Sequence, residues 1–379
     1  MSQERLKLNN IHLKGFKSIN NEGQDIPFGD ITLLLGANGS GKSNLISFFK
    51  MVNYMTSKSL QTNIAESGFA DSILYYGSKK TPRLSAKISF ANSQSKDEYF
   101  FSLSHAAGDT LILTEETLEW EKLNNGGKPF KISLDPGSKE SGLLDEKRST
   151  EGKVASVILS LIRTCQVFQF HDTSKEARIR NASYIDDANY LRSDAGNLAA
   201  FLYSMKQQKD GEKYYQRIVR YIQKAMPQFK DFVLKPSTRN ENYIMLNWTE
   251  KNSDYLFGSH QISDGSLRFM ALTTLLMQPP KSQPKVIILD EPELGLHPAA
   301  ITQLGSMIKT ASQNSQVVLA TQSTRLIDEF EPKDIVIVER DEENKCSTFK
   351  KLDEEKLNDW LERYSISELW EKNVIGGRP

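Results

Sequence analysis

The chain has 379 residues, 38% of them hydrophobic and 25% charged, with 48 basic side chains balancing 48 acidic ones. This length supports a sizeable core, and the zero net charge excludes a histone-like or polyanionic protein without excluding a local basic patch. Cys165 and Cys346, the only two cysteines, lie too far apart for a zinc motif or a disulfide framework. With no apolar signal region after Met1-Ser2-Gln3-Glu4-Arg5 and no membrane-length apolar run, a reduced cytoplasmic setting is expected.

Leu6–Ile19 alternates loosely and reads as a strand pair. Ile31–Leu35 is a continuous apolar run, as expected of a strand buried on both faces, and Asn44–Phe49 reads as a helix. From Leu84 to Leu134 the apolar period becomes two, which predicts an antiparallel sheet with a hairpin turn at Asn125-Gly126-Gly127. Asp135–Gly152, rich in Gly, Ser and charge, reads as a mobile loop or linker. Val154–Cys165 is predicted helical and Gln166–Phe170 a short buried strand. Helices are expected from Ser193 to Met226, then strands at Phe232–Leu234 and Tyr243–Trp248. Helix Asp264–Met277, strand Val286–Asp290, helix Pro298–Ala311 and strands Gln316–Ala320 and Ile335–Glu339 follow, then two terminal helices. This alternation predicts an α/β core with a parallel sheet, an antiparallel β insert and a helical lobe. The expected division is 1–165, 166–260 and 261–379.

Gly36-Ala37-Asn38-Gly39-Ser40-Gly41-Lys42-Ser43, running into Asn44, has the phosphate-binding loop pattern G-x-x-x-x-G-K-[ST]. Its glycines let backbone N–H groups close around phosphate oxygens, and the following helix adds its positive dipole end. Lys42 is expected to reach the β- and γ-phosphates of ATP, and the Ser43 hydroxyl to ligate Mg²⁺. The strand Val286–Leu289 ends in Asp290-Glu291. Asp290 is expected to hold Mg²⁺ through water beside Ser43, and Glu291 to polarise the attacking water. Ser263-Asp264-Gly265-Ser266-Leu267-Arg268 opens an apolar helix whose N-terminus can bind an anion, although such a segment alone is a helix cap.

Together these segments resemble the ABC-type ATPase heads of the RecF/SMC-like branch, and especially stand-alone ATPases related to the OLD family of bacterial defence proteins. The resemblance also takes in Leu13–Ser18, Phe170–Ser174, Tyr190–Asp194, Asp290-Glu291-Pro292-Glu293-Leu294-Gly295-Leu296-His297-Pro298 and the ending Gly376–Pro379. It implies a P-loop NTPase of ABC type that dimerises head to tail around ATP. Ser263 and Gly265 would contact the γ-phosphate across the interface, with Asp264 standing where the family has Gly. Glu293–His297 would form the D-loop. Gln169 is the candidate for sensing Mg²⁺ and water, with His171 as runner-up. Gln322 stands where many relatives carry a switch histidine. It can donate a hydrogen bond but cannot become charged, so slow turnover is expected.

No heptad run supports coiled-coil arms. About forty residues follow Ile335–Glu339, too few for a Toprim nuclease domain, so a nuclease or toxin effector is expected on a separate chain. Glu339, Asp341 and Glu342 read as a charged hairpin turn. Lys213, Arg217, Arg220 and Lys224 fall on one face of helix Glu212–Met226 and offer either a solvated surface or a contact for nucleic acid. The expected function is an ATPase sensor or motor subunit in a bacterial nucleic-acid-linked or anti-phage defence system. The alternatives are a transporter nucleotide-binding subunit, an ATP-dependent scaffold with little turnover, and a RecF-like DNA-repair ATPase.

Overall fold

A computed structural model describes residues 5–123, 129–144 and 150–378. The Asn125-Gly126-Gly127 turn lies outside these residues. The chain forms two compact units, Met1–Gln166 with Glu331–Pro379, and Val167–Phe330.

The first unit begins with β1 (Lys7–Lys14), β2 (Gln24–Pro27), β3 (Ile31–Leu35), α1 (Lys42–Met55), α2 (Leu60–Glu66) and α3 (Phe69–Ile73). It continues with β4 (Arg83–Ala91), β5 (Ser95–Ala106), β6 (Thr110–Lys122), β7 (Phe130–Ser133) and α4 (Thr150–Arg163). Leu6–Ile19 thus holds one strand and not two. Gly15, at φ +69°, turns the chain out of β1, and the Arg83 carbonyl fills the space a side chain there would need. The antiparallel sheet forms as expected, in the order β2-β1-β4-β5-β6-β7. Leu8, Ile11, Leu13, Ala86, Ile88, Phe90, Tyr99 and Phe101 are buried, and Phe48 of α1 stacks on Phe101 at 6.3 Å.

A bulge in β6 shifts the pairing between Ser102 and Leu103, so the buried set changes from Leu111 and Leu113 to Glu116 and Leu118. One extra residue moves every later side chain to the other face. Glu116 therefore points inward, where Oε1 accepts from Tyr99 Oη at 2.5 Å and Oε2 accepts from the Gly142 amide at 3.0 Å. Part of the expected loop Asp135–Gly152 is thereby tied to the sheet, and its end already belongs to α4.

After β8 (Cys165–Phe168), the second unit contains β9 (Ser183–Tyr184), α5 (Leu198–Gln207), α6 (Glu212–Ala225), β10 (Phe229–Val233), β11 (Tyr243–Ile244), β12 (Asn247–Glu250) and β13 (Leu256–Phe257). Then come α7 (Asp264–Met277), β14 (Val286–Asp290), α8 (Pro298–Ser312), β15 (Gln316–Thr321) and α9 (Thr324–Ile327). The expected strand Gln166–Phe170 stops at Phe168, leaving Gln169 just beyond it. Tyr243–Trp248 splits, because Tyr243 and Ile244 pair with β9 while Asn247–Glu250 joins β10 and β13. β14 and β15 run parallel, with Asp290 opposite Ala320. α6 buries Tyr215, Ile218, Val219 and Ile222 and leaves Lys213, Arg220 and Lys224 exposed and Arg217 half-buried.

The chain then returns to the first unit as β16 (Ile335–Asp341), β17 (Cys346–Lys351), α10 (Glu354–Leu361) and α11 (Ile366–Glu371). This corrects the expected lobe 261–379. β16 pairs in parallel with β3, Ile335 opposite Leu33, so residues after 330 belong with the N-terminal strands. Asp341 forms the β16–β17 turn, accepting from the amides of Glu343 and Asn344 at 2.9 Å. Glu339 is instead a strand residue, and its carboxylate accepts from the Gly377 amide at 2.6 Å. Among the described residues, no helix is long and apolar enough to cross a membrane.

Asp97 shares the core face of β5 with Tyr99 and is only 3% exposed. Burial pushes its carboxyl up to about 6. The native state thus holds this proton more tightly than the unfolded chain does. The resulting stabilisation is complete below about pH 4 and is lost as pH rises through the native value. Asp97→Asn should therefore leave stability nearly unchanged at about pH 4 and raise it above about pH 7, on the order of 1 kcal/mol after solvent screening. Urea unfolding at the two pH values checks this, and an equal shift at both would contradict it.

Candidate functional site

The phosphate loop belongs to the first unit, between the fully buried β3 and α1. Two of its glycines are fixed by crowding. A Cβ on Gly36 would collide with the Val338 carbonyl of β16, and one on Gly41, at φ +115°, with Ser347 Oγ of β17. Ser347 Oγ lies 2.5 Å from the Ser40 carbonyl and 2.6 Å from Ser18 Oγ, which also accepts from Asn44 Nδ2 at 2.8 Å. The Lys17-Ser18 segment and β17 thus brace the loop. Lys42 Nζ bends over it, donating to the carbonyls of Gly36 at 2.6 Å and Ala37 at 2.9 Å.

These residues fit a phosphate. α1 starts at Gly41 with no side-chain cap and no acidic residue in its first turn. An uncapped helix end beside a lysine ammonium favours an anion. Ser43 is exposed, whereas Ser40 and Lys42 are buried. Asn38 and Gly39 lie on the exposed outer rim, beside a cleft of about 810 Å³ that Arg340, Lys345 and Arg378 line together with Glu339, Asp341 and Glu342.

The acidic residues belong to the second unit. Asp290 closes β14, and Gln169 Nε2 donates to its Oδ2 at 3.0 Å. His171 Nε2 lies 2.8 Å from the Asp290 carbonyl oxygen, so it meets the backbone and not the carboxylate. Glu291 leaves the strand with φ +39°, its amide donating to the Ala320 carbonyl at 2.9 Å. This turn lets Glu291 Oε1 accept from Gln322 Nε2 at 2.9 Å. Asp290, Glu291 and Gln322 are therefore held at the C-terminal ends of the neighbouring parallel strands β14 and β15, and Gln169, just past β8, reaches Asp290. Glu293 accepts from Thr321 Oγ1, and burial pushes its carboxyl above the usual range. Among the described residues no group of three or more His, Cys, Asp or Glu forms a metal cluster. A Mg²⁺ that keeps several waters and takes one or two protein oxygens fits this donor set.

The segment Ser263-Asp264-Gly265-Ser266-Leu267-Arg268 belongs to the same unit. Ser263 is exposed and caps α7, its Oγ accepting from the Ser266 amide at 3.3 Å. Asp264 pairs with Arg180 at 2.6 Å, and hydrogen bonds from Arg180 and then Thr173 hold its carboxyl below the usual range. Gly265 leaves no room for a Cβ, which would strike the Gly295 carbonyl. His297 caps α8, with Nδ1 accepting from the Ala299 amide at 3.2 Å.

Two arginines for which the sequence suggested no role frame these loops. Arg180, 5% exposed, donates to the carbonyls of Thr173 at 2.7 Å, Ser259 at 2.5 Å and Ile262 at 3.1 Å. Arg268, from the first turns of α7, donates to the carbonyls of Phe170 at 3.2 Å, His171 at 2.8 Å and Leu294 at 3.0 Å. It fastens α7 to the segment after Gln169 and to the loop after Glu291. The sequence carries no local sign of either role, because the partners are backbone carbonyls far along the chain.

The domain family described as "AAA domain, putative AbiEii toxin, Type IV TA system" matches residues 31–328. A protein of Mycoplasma genitalium named "Putative ABC transporter ATP-binding protein" is 25% identical over 277 residues, which cover 68% of this chain and 69% of the relative. Among solved structures, an Smc head bound to the C-winged helix domain of ScpA superposes with TM-score 0.57 at 16% identity, covering 93% of this chain and 99% of that one. An Smc head domain with an extended coiled coil, bound to a ScpA C-terminal domain derived from Pyrococcus furiosus, gives 0.57 at 17% identity, covering 94% and 99%. A Pyrococcus yayanosii Smc head with a coiled coil and joint gives 0.53 at 13%, covering 94% and 99%. The fold is that of an ABC-type P-loop ATPase head.

Gly265→Ala should force the start of α7 away from Gly295 and cost about 1–3 kcal/mol, the usual scale for overpacking. Ser266→Ala, one position on, should cost about 0.5 kcal/mol or less. Denaturant unfolding of the two variants checks the contrast, and equal costs would refute the close approach.

Proposed function

The chain belongs to the family described as "AAA domain, putative AbiEii toxin, Type IV TA system", and from that membership we propose that it binds and hydrolyses ATP with Mg²⁺. The observation that carries the proposal is the pairing of Gln169 with Asp290 and of Gln322 with Glu291 at the ends of β14 and β15. Bound Mg²⁺ supplies neutralisation of charge on the β- and γ-phosphates. Ser43 and Asp290 are the proposed ligands, and Gln169 orients Asp290. The loop Gly36–Asn44 cradles the phosphates, and Lys42 opposes their charge. Glu291 accepts the proton of the attacking water. Gln322 holds Glu291 in position and donates toward the γ-phosphate as a neutral amide, a weaker donor than a charged imidazolium.

We further propose head-to-tail dimerisation around ATP, with Ser263 and Gly265 facing the partner's γ-phosphate. Exposed Ser263 at the N-terminus of α7 supports this reading. The abortive-infection type of the family favours a sensor or motor subunit in bacterial defence that acts with a separate nuclease or toxin effector. The transporter reading has one observation in its favour, the name of the Mycoplasma relative. Co-purification with a membrane protein would support that reading, and a co-encoded effector would support defence.

Glu291→Gln should keep ATP affinity, lose at least about a hundredfold in turnover and accumulate as an ATP-bound dimer. Lys42→Ala should instead weaken ATP binding at least about tenfold. Phosphate release and calorimetric titration with ATP and Mg²⁺ measure both. Turnover within about twofold of wild type in Glu291→Gln removes that residue from the water-activating role.

Nucleic acid is the proposed polyanion for the exposed face of α6. Charge reversal at Arg217 and Arg220 should weaken binding alike for all sequences, and the salt slope should fall by about one for each phosphate no longer neutralised. An unchanged slope identifies the stripe as a solvated helix face.

A further inference from the structure

Glu293 lies three residues beyond Asp290, at the start of the expected D-loop, and its side chain turns back toward the end of β15. Thr321 Oγ1 donates to its Oε1, while the same Thr321 oxygen accepts from the Ser323 amide at 2.9 Å. The backbone amide of Gln322 also favours the ionised form of this carboxylate, against the burial that disfavours it. The residues on either side of the Gln322 side chain are thus held from one carboxylate. That side chain donates to Glu291 Oε1 at 2.9 Å. On the other flank, the Leu296 amide donates to the Glu293 carbonyl at 3.0 Å, and Arg268 holds the Leu294 carbonyl at 3.0 Å. Among the described residues, Glu293 Oε2 is buried without a hydrogen-bond partner.

We propose that Glu293 is a positioning residue: through Thr321 it sets Gln322 against Glu291, and so links the conformation of the loop 293–297 to the geometry of the water-activating acid. This deepens the ATPase reading and rests on it. Loop 293–297 and the end of β15 then shift as one body. Movement of the loop withdraws Thr321, and Gln322 loses its fixed approach to Glu291. Glu293 and Thr321 are not among the residues proposed to hold phosphate or Mg²⁺, so their loss acts on turnover and not on nucleotide affinity.

The test compares Glu293→Ala, Thr321→Val, their combination and Thr321→Ser in the full chain. Both single variants should lower kcat about ten- to a hundredfold with KM within about twofold, the pattern of lost transition-state positioning. The double variant should be no worse than either single one, and Thr321→Ser, which keeps the hydroxyl, should stay within about threefold of wild type. Additive losses, or a kcat for Thr321→Val equal to wild type, overturn the proposal. A second readout does not need turnover. Amide hydrogen exchange of residues 321–323 should quicken at least about tenfold in Glu293→Ala while the melting temperature changes little. Unchanged exchange there overturns the relay. If the wild-type chain releases no phosphate, the ATPase reading fails by itself, and the exchange result still decides whether Glu293 positions Gln322.

Discussion

Three carboxylates crowd the four residues Asp290–Glu293, and each is held by a neutral donor: Gln169, Gln322 and Thr321. Like charges so close repel, and burial adds to the penalty. Amides and hydroxyls orient the acids without cancelling their charge, so the negative potential remains for a cation and Glu291 keeps the acceptor that the proposed function asks of it. An arginine or lysine in any of these three places would neutralise the acid it held. The second unit directs its buried Arg180 and half-buried Arg268 elsewhere. Arg180 and Arg268 give most of their donors to backbone carbonyls, which fixes loops without touching the acids of β14.

The phosphate loop follows a different rule, since backbone crowding and not charge fixes its shape. Val338 and Ser347, on strands far along the chain, occupy the space that side chains on Gly36 and Gly41 would need. The loop is therefore held from outside by β16 and β17, while its own backbone stays compact enough to wrap an anion. This explains why the C-terminal segment returns to the first unit. Without β16 beside β3, Gly36 would lose the Val338 carbonyl that crowds it most closely, and without β17 Ser40 and Ser18 would lose the Ser347 hydroxyl that holds them.

What could be read from the sequence was what depends on neighbours along the chain. The apolar run Ile31–Leu35 and the run Val286–Leu289 were legible as buried strands because their composition alone demands burial, and the residues after each carry the chemistry. Gln169 was named by resemblance and expected inside the strand Gln166–Phe170, which in fact stops at Phe168 and leaves it just beyond. The remainder depends on contacts between distant segments. The return of residues after 330 rests on the pairing of Ile335 with Leu33. Glu116 is turned inward by the bulge in β6, a feature of strand pairing that the alternation of the segment does not announce. Arg180 reaches backbone atoms some eighty residues away, at Ser259 and Ile262, a role that no local pattern encodes.

Asp264 shows how these two kinds of constraint meet. An acid in the first turn of α7 suits the helix dipole, but it also places negative charge where the segment is proposed to meet a phosphate. Glycine, expected there by resemblance, would avoid the conflict. Here Arg180 reaches the carboxylate at 2.6 Å from a buried position that further hydrogen bonds hold rigid, including its own carbonyl accepting from Ser259 Oγ at 2.5 Å. The guanidinium compensates the acid locally, so Ser263 and Gly265 keep a neutral surround at the helix N-terminus. The departure at one position is therefore tolerable only because an arginine more than eighty residues earlier is already fixed by backbone carbonyls. Its cost is that the electrostatics at the start of α7 depend on Arg180, and not on residues 263–265 alone.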